Sequence, residues 1–338
     1  EEVVRLFGYN SVKSTLPESK KKRGFLSIKQ KQERALRNIL TGCGLNEIIT
    51  YTFIDPKSFD LLNIGDGHQL RNAVIIENPT NREQSILRTT LLPGMLLALK
   101  RNHNRGLTGL SFFEMGKVFH PKKMSQPEER ENVAILLSGF MIEKEWYEKG
   151  KKVDFFDGKG ILEEVFSRFG IKRWNLKKGT HPGFHPQKYA GILAEEETFG
   201  YIGELHPSVQ ENFSLDFNVI CIELDLQKIY ESSTTFPGYD EFSKFPAITY
   251  DISLIVDEDV CVEDISLTIK EAEIDNLFDC KVFDVYQGNN IQKNKKSLAF
   301  SLIFQSLERT LTEEEVKKSF ERIKVLLNTK YKAEIRSV

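Results

Sequence analysis

Three side chains near the C-terminal end have types and spacing suited to holding an unpaired base. Tyr286 lies late in the alternating run "LFDCKVFDVYQG", and Asp284 stands two positions before it. Residues two apart on a strand share a face. A tyrosine ring on an open sheet face can stack on a base, while a neighbouring carboxylate accepts from the N–H groups of a guanine edge. Ser297 opens the returning run "SLAFSLIFQS". Other spacings promise less. His181 and His185 are four apart, the helical spacing for zinc, but Pro182 and Gly183 argue for a turn and no third ligand is near. Gly42-Cys43-Gly44 reads as a helix stop rather than a phosphate cradle. Cys43 has no neighbouring base to activate it.

The elements that must position Tyr286 read as strand, helix, strand, strand, helix, strand over 248–336. "ITYDISLIV" alternates with one face buried, and Val260, Ile265 and Ile269 line one side of a helix. A polar stretch, Asn289–Lys296, joins the two middle strands. Thr312 with Glu315 makes a capping box, and Val316, Phe320, Ile323 and Leu327 follow at helical spacing. Ala333–Arg336 closes the set. This order is a ferredoxin-like βαββαβ arrangement, four antiparallel strands with two helices on one face. Its other face is open.

Upstream, 25–43 reads as an amphipathic helix with Ile28, Leu36, Ile39 and Leu40 apolar. "NEIITYTFI" (46–54) and "AVIIENP" read as strands, broken at Asp55-Pro56 and Pro79. A loop enters a helix within 86–102, with Pro93 in its first turn. Strands follow at 109–119, with Phe113, Met115 and Val118 as core candidates, and at 132–140. A helix spans 157–169. "YAGILAE", "FGYIGELH" and "NVICIELDL" are three more strands. The whole is α+β: an antiparallel sheet with flanking helices, then the ferredoxin-like module. The expected division is 1–17 as the tail of a preceding domain, 18–231 as the large module, 232–244 as a linker and 245–338 as the small module. The charge run "ESKKKRG" at 18–24 reads as a linker.

The chain has 338 residues, 40% apolar and 28% charged, with a net charge of −2. That is ordinary for a globular protein of two or three domains, and carries no global basic field. The small module from Phe245 holds 13 Lys and Arg against 17 Asp and Glu. Local positive charge near its hairpin would come from Lys293, Lys295, Lys296 and Arg309. The four cysteines show no metal or redox spacing, so reduced thiols and a cytoplasmic location are expected. No run of eighteen apolar residues and no signal-peptide pattern supports a membrane or secretion. The opening "EEVVRLFGYN" starts mid-helix without Met, as a piece of a longer protein would.

Several strings occur in register: "NPTNREQSILRTTLLPGML", "FFEMGKVF", "GYIGELHP", "KFPAITYDISLIV" and "YQGNN…KSLAFSL…RTLTEEEV". Together they resemble the C-terminal half of bacterial phenylalanyl-tRNA synthetase β subunits. The resemblance implies a class II aminoacyl-tRNA synthetase-like sheet over 18–231. In that class a motif strand carries an Arg two positions before a Glu, and the Arg grips the α-phosphate of ATP. Here the matching string is Ser111-Phe112-Phe113-Glu114, so Phe112 replaces the cation. The Gly-rich third motif has no match near 219–240. The resemblance thus implies a degenerate copy, with ATP bound by a catalytic α subunit. "SILRTTLLPGMLLALKRN" falls at the class II dimer-interface motif, with Met95, Leu96, Leu97 and Leu99 divided between core and interface. Arg88 and Arg105 flank it; they are candidates for interface ion pairs, although each taken singly reads as solvated surface.

The resemblance further implies that Asp284, Tyr286 and Ser297 contact the first anticodon base of tRNA(Phe), inside an (αβ)₂ heterotetramer. Where the family often has Arg before the Asp of "FPAITYD", this chain has Tyr250. Glu1 and Glu2 match two of four carboxylates that bind magnesium in complete β subunits; the partners and the editing module lie upstream. The implied role is a non-catalytic scaffold and anticodon reader within phenylalanine–tRNA ligase. Rival readings are an independent ATP-dependent ligase, against which Phe112 argues, and a non-enzymatic RNA- or ligand-binding regulator.

Overall fold

Long alternating segments build two separate sheets, and each sheet is closed by helices that carry a matching apolar stripe. The computed structural model describes residues 1–15, 24–122, 125–142, 145–147, 149–194, 196–234, 241–288 and 291–336. Most of the expected linkers, 18–24 and 232–244, and the hairpin residues Asn289 and Asn290 fall wholly or partly outside these.

The chain begins with α1 (Glu2–Phe7) and α2 (Ile28–Gly42). Helix α2 starts in a capping box in which Ser27 and Gln30 exchange side-chain and backbone bonds. Next come β1 (Asn46–Glu47), β2 (Phe53–Ile54), α3 (Ser58–Leu61), β3 (Ile86–Leu87) and α4 (Leu92–His103). Then follow β4 (Ser111–His120), β5 (Glu128–Ser138), the small pair β6 (Phe140–Ile142) and β7 (Lys151–Lys152), and α5 (Phe155–Phe169). The large module ends with β8 (Trp174–Lys178), β9 (Phe184–Ala194), β10 (Glu197–Leu205), α6 (Pro207–Asn212), β11 (Val219–Asp225) and α7 (Leu226–Ser232).

Its main sheet has seven strands in the order β1-β4-β5-β11-β10-β9-β8. Only β1 and β4 run parallel. Both faces are covered, which is why β5 is apolar without interruption over 133–137 and β11 over 219–222. On one face Phe113, Ile135, Ile222 and Ile202 pack on Leu36 and Leu40 of α2 and on Leu162 and Phe166 of α5. On the other, Phe112, Val118, Leu136 and Cys221 pack on Leu92, Met95, Leu96 and Leu99 of α4.

The small module holds β12 (Ile248–Asp257), α8 (Val262–Glu271), β13 (Leu277–Tyr286), β14 (Lys295–Phe304), α9 (Glu313–Tyr331) and β15 (Glu334–Arg336). The strand order β13-β14-β12-β15 is antiparallel throughout, the ferredoxin-like topology expected from the sequence. Leu254, Leu298, Phe300 and Leu302 meet Ile265, Ile269, Phe320 and Ile323 on the helix side. The Thr312–Glu315 capping box is formed, and Arg309 pairs with the same carboxylate at 2.6 Å, holding it down to about 2. Among the described residues no helix is long and apolar enough to cross a membrane.

Four expectations change. Ile28 is exposed, because it precedes the turns of α2 that reach the sheet. The run 46–54 is not one strand but β1, an irregular stretch and β2. "AVIIENP" forms only a bridge from Ile75 to Ile86 with two flanking bonds, Ile76 N–H to Ser85 O and Leu87 N–H to Val74 O. Arg88 is buried, not solvated, because it pairs with the buried carboxylate of Glu114.

Candidate functional site

In the small module, Tyr286 lies directly opposite Ser297, and Asp284 opposite Ala299. The strand pattern alone would turn both inward. Cys280 and Val282 pair with the helix-side residues Leu302 and Phe300, and strict alternation would place Asp284 and Tyr286 with them. A one-residue bulge between Val282 and Asp284 reverses the parity and brings both onto the open face. Sequence spacing shows that the two share a face; it does not show which one. Tyr286 is 44% exposed. Its ring lies over Gly288, where any Cβ would collide with the phenol. Ser297 Oγ is 3.3 Å from Ser253 Oγ on the next strand. The central strand thus offers a floor of small residues, Ser297, Ala299 and Ser301, beside the tyrosine ring.

The charges near this face are mostly engaged. Lys295 pairs with Glu334 at 3.0 Å, Lys296 donates to Glu258 O, and Arg309 pairs with Glu315. Tyr250 tilts against Phe320 with ring centroids 5.1 Å apart. It supplies packing, not a phosphate contact.

In the large module, Phe112 is 6% exposed and packed on the α4 side of the sheet. Two residues on, Glu114 begins a polar row that crosses the sheet through Ala134 and Glu223 to Tyr201. Both glutamates are buried. Arg88 Nη1 donates to Glu114 at 2.7 Å and to Thr50 Oγ1 at 3.0 Å, and its Nε donates to Lys117 O at 2.9 Å. Thr50 donates to Glu114 through its hydroxyl at 2.7 Å and its N–H at 3.2 Å. Glu223 accepts from Thr90, Asn132 and Tyr201 side chains at 2.5, 2.8 and 2.7 Å, and from Leu91 N–H at 3.2 Å. Burial and the Glu223 charge push the Tyr201 phenol well above its usual range. Burial and Arg130 push the nearby His120 down. A cavity of about 230 Å³ opens here between Thr90, His120, Arg130, Tyr201 and Lys228. Arg130 is paired with Glu128 and Lys228 with Glu197, both at 3.1 Å. A guanidinium therefore does reach the sheet face, but from position 88, and its Nε and Nη1 donors are taken by protein acceptors.

The remaining candidates stay apart. Glu1 and Glu2 are exposed at the start of α1, and Glu2 pairs with Arg5 at 2.5 Å. Two carboxylates, one already paired with a cation, are fewer ligands than magnesium requires. Among the described residues no group of three or more His, Cys, Asp or Glu is placed to hold a metal ion. His181 accepts from Gly183 N–H in the expected turn and packs among His68, Phe184, Tyr189 and Tyr201. Burial and His68 push it down to about 4. Burial and Glu164 push the Cys43 thiol up, the opposite of activation. Sequence reasoning missed Ser253, Gly288 and Glu223, and misplaced Arg88. The one signal for the last was its position just before an apolar helix, which does not reveal a buried acceptor.

Residues 12–226 match the family described as "Phenylalanyl tRNA synthetase beta chain CLM domain", and residues 243–336 match "Ferredoxin-fold anticodon binding domain". The phenylalanine–tRNA ligase beta subunit of Clostridium tetani is 37% identical, over 99% of this chain and 41% of its own length. The beta subunit of Carboxydothermus hydrogenoformans is 36% identical, over 100% of this chain and 42% of its own. That of Bacillus licheniformis is 35% identical, over 99% and 41%. This chain spans about two fifths of the length of the curated relatives it matches. Two family matches that together reach from residue 12 to residue 336, on the folds described above, identify the chain as a member of the phenylalanyl-tRNA synthetase beta chain family.

Proposed function

We propose that this chain is the scaffold and anticodon-reading part of the β subunit of a cytoplasmic phenylalanine–tRNA ligase. The ligase attaches phenylalanine to tRNA(Phe) using ATP, as an (αβ)₂ assembly. The observation that carries the reading is the open face of the small module. There a bulge turns Asp284 and Tyr286 outward beside Ser297. An unpaired base would stack on the Tyr286 ring, and Asp284 would accept from a guanine edge. The small side chains along β14 leave room for a flat ring. Since Lys295, Lys296 and Arg309 are engaged, base contacts rather than phosphate contacts would dominate here, with most tRNA affinity coming from elsewhere in the assembly.

The large module would assemble rather than catalyse. Phe112 offers no charge to a phosphate, and Arg88 is held by Glu114, Thr50 and Lys117 O. ATP chemistry is accordingly assigned to the α subunit. Glu1 and Glu2 would contribute to magnesium binding only with further ligands from outside this chain. The family matches and the relatives' names favour this reading over a non-enzymatic regulator.

The test is Tyr286→Ala in the assembled ligase. Loss of one base stack is worth about 1–3 kcal/mol, or roughly 5- to 150-fold. It should appear in kcat/KM for tRNA charging while ATP–pyrophosphate exchange is unchanged. Unchanged charging would remove Tyr286 from the reading.

A further inference from the structure

Among the described residues the buried glutamates are Glu114, Glu204 and Glu223. The first two have a cation: Arg88 pairs with Glu114 at 2.7 Å and Lys188 with Glu204 at 2.8 Å. Glu223 is different. Its donors are the side chains of Thr90, Asn132 and Tyr201 and the Leu91 N–H, all of them neutral. The described residues form no ion pair with it. Neutral donors hold a carboxylate in place but leave its charge uncompensated, which is costly away from water. That charge is felt nearby: after burial, it is the next cause that pushes the Tyr201 phenol and the Cys221 thiol upward.

Glu223 also lines the polar cavity of about 230 Å³ between β5, β10, β11 and α7. Sheet register brings opposite charges to that space. Glu223 stands opposite Ala134, and Asp225 opposite Asn132. Arg130, Asn132 and Ala134 are spaced two apart on β5, so all share the face that carries Glu223. Lys228 joins them from the first turn of α7. Arg130 and Lys228 are held only by Glu128 and Glu197 at the surface, and such pairs are weak and exchange readily. A free anion in the cavity would meet Glu223. A simple cation would meet Arg130 and Lys228. A molecule carrying both charges meets neither obstacle.

We propose that this cavity binds a small, free α-amino acid, with its ammonium group beside Glu223 and its carboxylate toward Arg130 and Lys228. Asn132 gives its amide nitrogen to Glu223 and keeps a carbonyl oxygen to accept from the ammonium. The volume lies below the range that takes drug-sized ligands, and threonines 89, 90 and 198 line it, so a small or hydroxylated side chain fits best. Binding belongs to the large module alone and needs neither another subunit nor tRNA, so it stands or falls apart from the function proposed above.

The experiment titrates the 338-residue chain with L-alanine and L-serine, followed by saturation-transfer NMR. At least one of the two should bind saturably. Ethylamine and propionate each carry one of alanine's two charges and should bind at least about tenfold more weakly, since each loses a charge-assisted contact. Arg130→Gln removes a half-exposed cation and should weaken amino-acid binding about tenfold, with circular dichroism and melting temperature unchanged. It should not weaken ethylamine, which a general structural defect would. Glu223→Gln should weaken the amino acid at least as much. If that buried variant does not fold, Arg130→Gln and the two half-ligands still decide. Four results overturn the proposal. Neither amino acid binds, which leaves the cavity to water; ethylamine binds as well as alanine, which makes it a cation site; propionate does so, which makes it an anion site; or Arg130→Gln leaves amino-acid binding unchanged, which puts the bound molecule elsewhere.

Discussion

Replacing Arg88 by Met removes the only cation that pairs with Glu114 among the described residues. The side chains of Arg88 and Glu114 are 6% and 2% exposed, so water does not substitute for the lost guanidinium. Glu114 would keep two donors, the Thr50 N–H and hydroxyl, and Lys117 O would lose one. Breaking a buried pair from one side costs about 3–5 kcal/mol, because a charge is left uncompensated. Removing both charges, as Arg88→Met with Glu114→Leu, leaves chiefly the Thr50 donors unsatisfied, at about 1–3 kcal/mol. The double variant should therefore be more stable than the Arg88→Met single variant. Urea unfolding followed by tryptophan fluorescence resolves this. Both tryptophans, Trp146 and Trp174, lie in the large module, so the signal follows that module alone. Treating its transition separately also respects the two-module chain. A cost below about 1 kcal/mol for Arg88→Met, or a double variant costing the sum of its singles, would refute the uncompensated-charge argument.

Gly288→Ala should disturb the open face proposed to hold a base, without unfolding the module. Its new Cβ collides with the Tyr286 ring and must rotate it. Binding of an anticodon hairpin should weaken toward the level of Tyr286→Ala, with the small module's melting temperature nearly unchanged. Wild-type binding by Gly288→Ala would show that the ring orientation over the turn is unimportant. His181 gives the large module a pH dependence of definite sign. Its folded pKa is about 4 against an ordinary 6.5, so the unfolded chain binds the proton more readily. The stability is complete above about pH 6.5 and is lost as pH falls toward 4, on the order of 2–3 kcal/mol. His181→Phe should flatten that part of the stability profile, and an unchanged slope would assign it to other groups.

Where each residue's own pattern decides its place, the sequence was enough. The small module is built from strands whose alternation matches one apolar face, and α9 carries its own capping box, so order, faces and helix starts could all be read. The core helices α2, α4 and α5 were legible for the same reason. The failures share a different cause. Residues 46–54 have strand propensity, but Thr50 spends its N–H on Glu114, sixty-four positions away, and the strand is interrupted. Arg88 looked like a surface charge because nothing local shows that a buried acid awaits it. Asp284 and Tyr286 were paired correctly by their spacing. Which side they face depends on a bulge at Phe283, and alternation by itself points the wrong way. Long-range polar partners and one-residue register shifts leave no periodic trace.

The missing arginine at position 112 is not the whole reason this sheet should fail to hold a nucleotide. The face on which Phe112 lies also carries Glu114 and Glu223, both buried. Each is satisfied by donors from the segments 50 and 88–91, which lie over the sheet. A triphosphate entering there would meet two carboxylates in a region of weak screening, and like-charge repulsion grows as the dielectric falls. It would also have to take Arg88 from Glu114 and displace the segment that leads into α4. Restoring the motif by Phe112→Arg should therefore not restore function. The new guanidinium would sit two residues from Glu114, on the same face, and pair with it. Calorimetric titration of ATP with magnesium into the Phe112→Arg chain should show no binding, and the isolated chain should show no ATP–pyrophosphate exchange. Saturable nucleotide binding by that single variant would mean that the buried carboxylates do not guard the site, and that one aromatic ring alone separates this fold from a working one.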